Sequence, residues 1–402
     1  MLRLTFLAIF IIVVWIELLP YIIPNKPKEI YSDEKLREIA LSRGMSPIPK
    51  PKEYSGFLKL LDSKENPITK EKVALGKSLY FDKILSQDTS VSCASCHMLG
   101  ENPHNKKQFL DDLTHPQAKT DCMVCHIKDQ SGSDRLATAI GTEGKTSPNH
   151  LNTPTILNSA LAKYRMWDGS ATTSKSAIAP MIHGKYTMNL STQEVEERVK
   201  KNNAYKQKFD KVFEDGVTFE NVCKALDVYQ KTLLTRSAYD RFLEGDDSAM
   251  SEEAKRGFRN FIQLGCKGCH TGITVGGQTI QKFPTRNYNH IIDVTGIFST
   301  EFIGRDVAAF DFNIKPYSRY PFENKGGFLG KNNEQLFRVP VLRNVTKTSP
   351  YFHNGAVFDL REAVRIMGKY QLSMELTEIQ IDEIVAFLKS LEGDVVEYKE
   401  LQ

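Results

Sequence analysis

The sequence predicts a mainly α-helical protein of two domains with long loops between the helices, preceded by an N-terminal membrane anchor. Three observations carry this expectation. Apolar residues recur at helical spacing behind capping residues in several segments. No long stretch of strand alternation competes with them. The first two dozen residues are almost wholly apolar. A chain of 402 residues has room for more than one core.

After Arg3 the run "LTFLAIFIIVVWIELLPYII" (residues 4–23) is long enough, at about 1.5 Å per helical residue, to cross a hydrocarbon layer of roughly 30 Å. No Ala-x-Ala-like cleavage site precedes "PNKPKEIYS", so residues 1–24 read as an uncleaved anchor rather than a cleaved signal. Glu17 and Pro20 are the residues that argue against it. Either way the bulk of the chain is exported, which places it in the periplasm at the inner membrane. With 53 basic and 49 acidic residues the formal charge is +4, too small to argue for nucleic acid or an anionic membrane surface.

In "LSTQEVEERVKKN" Ser191 and Glu194 form a capping box. "SEEAKRGFRNFIQLG" opens at Ser251 with acids in its first turn. "LTEIQIDEIVAFLKSLEG" repeats apolar residues at Ile381, Ile384, Val385, Leu388 and Leu391 and is expected to stop at Gly393. The hydrophilic stretch "EGDDSAM" (244–250) marks a boundary between a first domain, 30–245, and a second, 246–402. Residues 100–133 are polar and broken by prolines, and read as an insertion within the first domain.

Six of the seven cysteines fall in three copies of Cys-x-x-Cys-His: "CASCH" (93–97), "CMVCH" (122–126) and "CKGCH" (266–270). Two thiols on one turn can both add to the vinyl groups of one porphyrin, and the next imidazole reaches the iron from the same side. The spacing therefore reads as three covalent c-type haems, anchored on Cys93/Cys96, Cys122/Cys125 and Cys266/Cys269, with His97, His126 and His270 as axial ligands. A zinc ribbon built from Cys93, Cys96, Cys122 and Cys125 is the competing reading, but such a ribbon does not need a histidine behind each second cysteine. Cys223, in "ENVCKALDVYQKTLL", reads as a buried core thiol.

Four segments, in order, resemble the bacterial dihaem cytochrome c peroxidase family over roughly residues 65–395. They are "ALGKSLYFDKILSQDTSVSCASCH", "NTPTILNSALAKYRMWDGSA", "GFRNFIQLGCKGCH" and "FRVPVLRNVTKTSPYFHNGAVFDLREAVRIMGKYQL". The resemblance implies two cytochrome-c-like domains. His97 would ligate the peroxide-reacting haem, His270 and Met367 the electron-transfer haem, and Trp167 would lie between them. It also implies one calcium ion, with Asn152, Thr348 and Pro350 at the matching positions, and a homodimer. Met367 is expected at the end of a short helix that starts at Asp359 and Glu362, just before Gly368. A thioether ligand raises the potential of the iron, as suits a haem that collects electrons.

The sequence departs from the family where the pocket acid should stand. The segment "APMIHGKYTMNLS" lacks the family's glutamate and glutamine and offers His183, Tyr186 and Thr187. A positioned acid or base is worth about 10²- to 10⁴-fold in rate. In "LATAIGTEG" Thr142 stands where many members have a histidine that closes the resting site. The His97 haem is then expected to be open and five-coordinate, unless His104, His115 or His150 swings in.

The function these features imply is reduction of hydrogen peroxide to water, with electrons from a small c-type cytochrome or from quinol. A membrane-tethered trihaem electron carrier without peroxidase activity is the alternative, supported by the missing acid. A dihaem oxidase that modifies a partner protein, as in methylamine-dehydrogenase maturation, is disfavoured because that relative has tyrosine where Met367 stands. The middle motif is an inserted third haem site whose sixth ligand is sought at His104 or His115.

Overall fold

The computed structural model describes residues 31–99, 131–285 and 320–402. The apolar segment 1–24, the middle motif with Cys122, Cys125 and His126, and His104 and His115 all lie outside the described residues. Among the described residues no helix is long and apolar enough to cross a membrane.

Helices dominate, as expected. They are α1 (Asp33–Ser42), α2 (Tyr54–Leu61), α3 (Lys70–Phe81), α4 (Ser174–His183), α5 (Thr192–Lys201), α6 (Asn203–Val212), α7 (Phe219–Lys231), α8 (Ala238–Leu243), α9 (Glu252–Gln263), α10 (Leu360–Leu372) and α11 (Glu378–Ser390). Among the described residues four three-residue strands pair antiparallel as β1 (Thr235–Ser237) with β4 (Gly393–Val395) and β2 (Ile280–Lys282) with β3 (Leu336–Arg338). The Ser191–Glu194 capping box opens α5 and Ser251 caps α9.

Two cores share one plan. In the first, α3 crosses α7 so closely that a Cβ on Gly76 would run into the Ala225 carbonyl. In the second, α9 crosses α11 and a Cβ on Gly257 would meet the Glu383 carbonyl. Glycine at each crossing lets the backbones touch, and Leu75, Leu79, Val222 and Leu226 or Phe258, Phe261, Ile384 and Phe387 fill the space beside it. Cys223 is buried in the first core, and burial pushes its thiol up to about 12.

The cores do not coincide with the boundaries read from the sequence. Helix α1 packs Leu36 and Ala40 into the second core, and Asp33 pairs with Lys255 and Arg259 of α9. At the other end Val396, Tyr398 and Leu401 pack into the first core, the Tyr398 ring 4.5 Å from that of Phe57. Each end of the described chain thus closes the core formed by the opposite half. A hydrophilic stretch such as 244–250 marks where the chain leaves a core, but not which apolar segment returns to it.

Two helix ends differ from expectation. Met367 lies inside α10, which runs on to Leu372 and ends at Ser373 in the left-handed region at φ 58°. Gly368 does not stop the helix; it is the place where Leu376 packs against the backbone. Helix α11 ends at Ser390 with Leu391 as its cap, and Gly393 is a strand residue opposite Ser237.

A fully buried ion pair ties the pieces together. Arg343 donates from Nη1 and Nη2 to the two Asp240 oxygens at 2.9 and 3.0 Å, and Asp240 also accepts from the Ile48 and Ser237 amides. Every hydrogen-bonding position of the carboxylate is used, the condition under which a buried pair holds its charge. Burial pushes Asp240 up, but the Arg343 guanidinium outweighs it and holds the carboxyl below its ordinary value.

Candidate haem centres

The first Cys-x-x-Cys-His motif forms a single helical turn, Cys93–Cys96, closed by the His97 amide donating to the Cys93 carbonyl at 2.9 Å. Tyr80 of α3 donates its hydroxyl to the His97 carbonyl at 2.5 Å. The His97 Nδ1 lies 3.2 Å from the Gly132 carbonyl. If Nδ1 carries the proton and donates to this carbonyl, Nε2 is left with its lone pair, the tautomer an iron ligand needs. Burial lowers the imidazole below its ordinary pKa, keeping it neutral. The same burial pushes the Cys93 thiol up to about 12, so this sulfur is not poised as a free thiolate for a metal ion.

The second motif repeats the arrangement. Gly265, at φ 104°, turns the chain out of α9 into the Cys266–Gly268 turn. His270 is buried, and burial lowers its pKa to about 4. Its polar neighbours are the Val275 and Pro340 carbonyls, neither aligned well enough to count as a hydrogen bond to Nδ1. Cys266, Cys269, His270 and Met367 line one cavity, whose apolar wall includes Phe261, Val364 and Leu388. Two thiols, a neutral imidazole and a thioether facing one greasy slot fit a covalently held haem with His270 and Met367 as axial partners.

Trp167 lines the same cavity. Its indole N–H donates to the Asn152 carbonyl at 2.8 Å, and its own carbonyl accepts from the Arg338 amide at 2.8 Å. The Arg338 guanidinium lies over the indole, 5.5 Å from its centroid. Burial, and secondarily Arg165, lowers Arg338 to about 10. Neither guanidinium is in an ion pair among the described residues. A buried and a half-buried cation without a carboxylate are costly unless an anion joins them, and the propionates of a haem in this cavity are anions of the right kind. Arg338 was invisible in the sequence as a functional residue; only its burial beside Trp167 singles it out. His353, also in the cavity wall, stacks on Phe337 at 4.6 Å, and burial lowers it to about 4.

Asn152, Thr348 and Pro350, the positions expected for calcium, all line this cavity as well. Asn152 donates its Nδ2 to the Leu136 carbonyl at 2.7 Å, which leaves Oδ1 free to ligate.

Around the first motif the structure sorts the candidates. The Cys96 sulfur lies 4.0 Å from the Ile140 carbonyl, so the 140–142 loop borders the attachment turn. That loop is clipped to the segment carrying Tyr186 and Thr187 by the Thr142 amide donating to the Thr187 carbonyl at 2.8 Å. Thr187 spends its hydroxyl on the Met181 and Gly184 carbonyls. His183 is not part of this group. It is exposed at the end of α4, with Nδ1 2.7 Å from the Leu190 carbonyl and its ring stacked on Phe219 at 4.7 Å. These contacts cap the helix end and hold the ring on the outside. His150, at φ 48°, packs beside Gly326.

The model of the di-haem cytochrome c peroxidase family matches residues 70–116 and 106–248. A cytochrome c551 peroxidase of Nitrosomonas europaea is 32% identical over 338 residues, covering 83% of this chain and 83% of that protein. The cytochrome c551 peroxidase of Pseudomonas aeruginosa is 31% identical, covering 81% and 80%. Among solved structures, a MauG-like protein associated with microbial copper homeostasis superposes with a TM-score of 0.60 at 20% identity, over 88% of this chain and 96% of that one.

Proposed function

Because the chain belongs to the di-haem cytochrome c peroxidase family, and is thus an oxidoreductase of that type, we propose that it reduces hydrogen peroxide to water at the His97 centre. Two electrons would arrive one at a time through the His270/Met367 centre and Trp167. The observation that carries this reading is the pairing of two imidazoles behind Cys-x-x-Cys turns, His97 half-buried and His270 buried, with Met367 lining the cavity of the second. Haem bound at these sites supplies the redox-active iron. The chain's own residues do the rest. Cys93, Cys96, Cys266 and Cys269 would tether, His97, with its tautomer set by the Gly132 carbonyl, and His270 would ligate, and Arg338 with Arg165 would offset the propionate charge. Consumption of one peroxide takes two electrons and two protons and releases two waters.

The electron donor is a small c-type cytochrome or quinol, and the setting is periplasmic, with residues 1–24 as the inner-membrane anchor. The middle motif, Cys122, Cys125 and His126, would add a third haem and another route for electrons from the membrane. One calcium ion would sit on the Asn152 Oδ1 and the Thr348 and Pro350 carbonyls. Among the described residues no three His, Cys, Asp or Glu side chains converge on a metal-sized site, so a hard cation would be held by such neutral oxygens. A homodimer follows from the family resemblance alone.

Mixing the ferric protein with peroxide in a stopped-flow spectrometer tests the reading. Rapid change in the Soret band, with turnover when reduced cytochrome is added, is expected. A spectrum unmoved by excess peroxide would leave the second reading, a trihaem electron carrier. That reading draws support from Thr187, whose hydroxyl is committed to backbone carbonyls where the family's acid would stand.

A further inference from the structure

Thr142 has only 1% of its surface exposed, yet its hydroxyl finds no hydrogen-bond partner. Leaving a buried hydroxyl unpaired is costly, so an arrangement that holds one in place is to be explained by a partner the protein chain does not supply. The surroundings are held firmly. The Thr142 amide is bonded to the Thr187 carbonyl at 2.8 Å, and the next amide, of Glu143, donates to Asp88 at 2.7 Å. Glu143 itself sits at φ 54°, in the left-handed region that a non-glycine residue occupies only under constraint. A Cβ on Gly141 would strike the Tyr186 backbone, so the two loops are in direct contact there. Two residues before Thr142 the Ile140 carbonyl lies 4.0 Å from the Cys96 sulfur, where a thioether would form.

We propose that the Thr142 hydroxyl is the hydrogen-bond donor that the His97 centre offers to a small anion or peroxide bound at its iron. The inference rests on the reading of that centre as open to ligands. A hydroxyl in this position donates to a bound oxygen or anion but does not take up a proton near neutral pH. Thr142 therefore stabilises a ligand without acting as the base that the pocket lacks. Thr138, whose hydroxyl is also unpartnered but whose side chain is only half-buried, is the natural control.

The test is fluoride binding to the ferric holoprotein, followed by its absorption spectrum, with imidazole as a ligand that does not depend on a donated hydrogen bond. Thr142→Val should weaken fluoride about ten- to a hundredfold, the loss expected when one hydrogen bond to a charged ligand is removed. Imidazole affinity should not change. Thr142→Ser should bind fluoride within a few-fold of wild type, and Thr138→Val should be indistinguishable from it. Thr142→Ala, which cannot overfill the site, repeats the measurement if the valine variant fails to fold. Unchanged fluoride affinity in the valine or alanine variant, with imidazole still binding, overturns the role of Thr142 and leaves the open centre standing. If the wild-type protein binds neither ligand and is wholly low-spin, the open centre itself is overturned, and this inference with it.

Discussion

Asn158 and Asn344, from opposite halves of the chain, donate their Nδ2 groups to the same hydroxyl, that of Thr235, at 2.9 and 2.8 Å. Both asparagines are fully buried, both sit in the left-handed region at φ 59° and 61°, and each opens a single helical turn. Each lies four residues after a proline, Pro154 or Pro340, whose carbonyl neighbours the Cys-x-x-Cys-His histidine of its own half. The two centres are therefore built on one repeated loop, and Thr235 is the point at which the copies meet.

Thr235→Val should remove the shared acceptor while keeping the shape of the side chain. Two buried amides lose a partner, at about 1–3 kcal/mol each, and the variant should unfold at clearly lower denaturant concentration with its haem content intact. A midpoint equal to that of wild type would show that the asparagines find other acceptors.

Burial pushes the Asp134 carboxyl up to about 7, although the Leu136 amide and the Thr153 hydroxyl both donate to it. The folded state thus holds this proton more tightly than the unfolded chain, where the group titrates at about 3.9. Between these values the unfolded state is ionised and the folded state is not, so this group makes stability fall as pH rises from about 4 to about 7. Asp134→Asn should flatten that part of the profile, measured by denaturant unfolding of the holoprotein at pH 5 and pH 8. An unchanged slope would mean that Asp134 does not titrate in this range.

Arg338 places its guanidinium against Trp167 and in the wall of the second cavity. Ferric haem carries one more positive charge than ferrous, so the guanidinium favours the reduced state. Arg338→Gln should lower the midpoint potential of the haem proposed for the His270 cavity by on the order of tens of millivolts, as read by spectroelectrochemical titration. A potential that stays or rises would place the charge elsewhere.

Thr187→Glu would return a carboxylate to the segment clipped against Thr142. If the missing acid limits the reaction, the second-order rate with peroxide should rise by about 10²-fold or more, as general acid–base catalysis contributes about 10²- to 10⁴-fold. A rate equal to or below that of wild type would show that the substituted side chain does not reach the iron-bound oxygen.

What the sequence determined by itself was local or covalent in origin. Ser191 with Glu194 and Ser251 start helices because a cap satisfies the orphan amides of its own first turn. The Cys-x-x-Cys-His spacing defines haem attachment because all its chemistry lies within five residues. The order of four segments sufficed for the family. Properties that depend on distant partners needed the tertiary structure. Gly368 read as a helix stop, but α10 runs on through it, and the glycine instead gives room for Leu376 from the following loop. His183 read as a pocket residue, but Phe219 and Leu190 hold it at the surface. Arg338 looked ordinary and Thr142 stood out only as the replacement for a histidine, and both gained a physical meaning once folding had buried the one without a counter-charge among the described residues and the other without a hydrogen-bond partner. Burial and the absence of a partner are sums over the whole fold, and no short stretch of sequence records them.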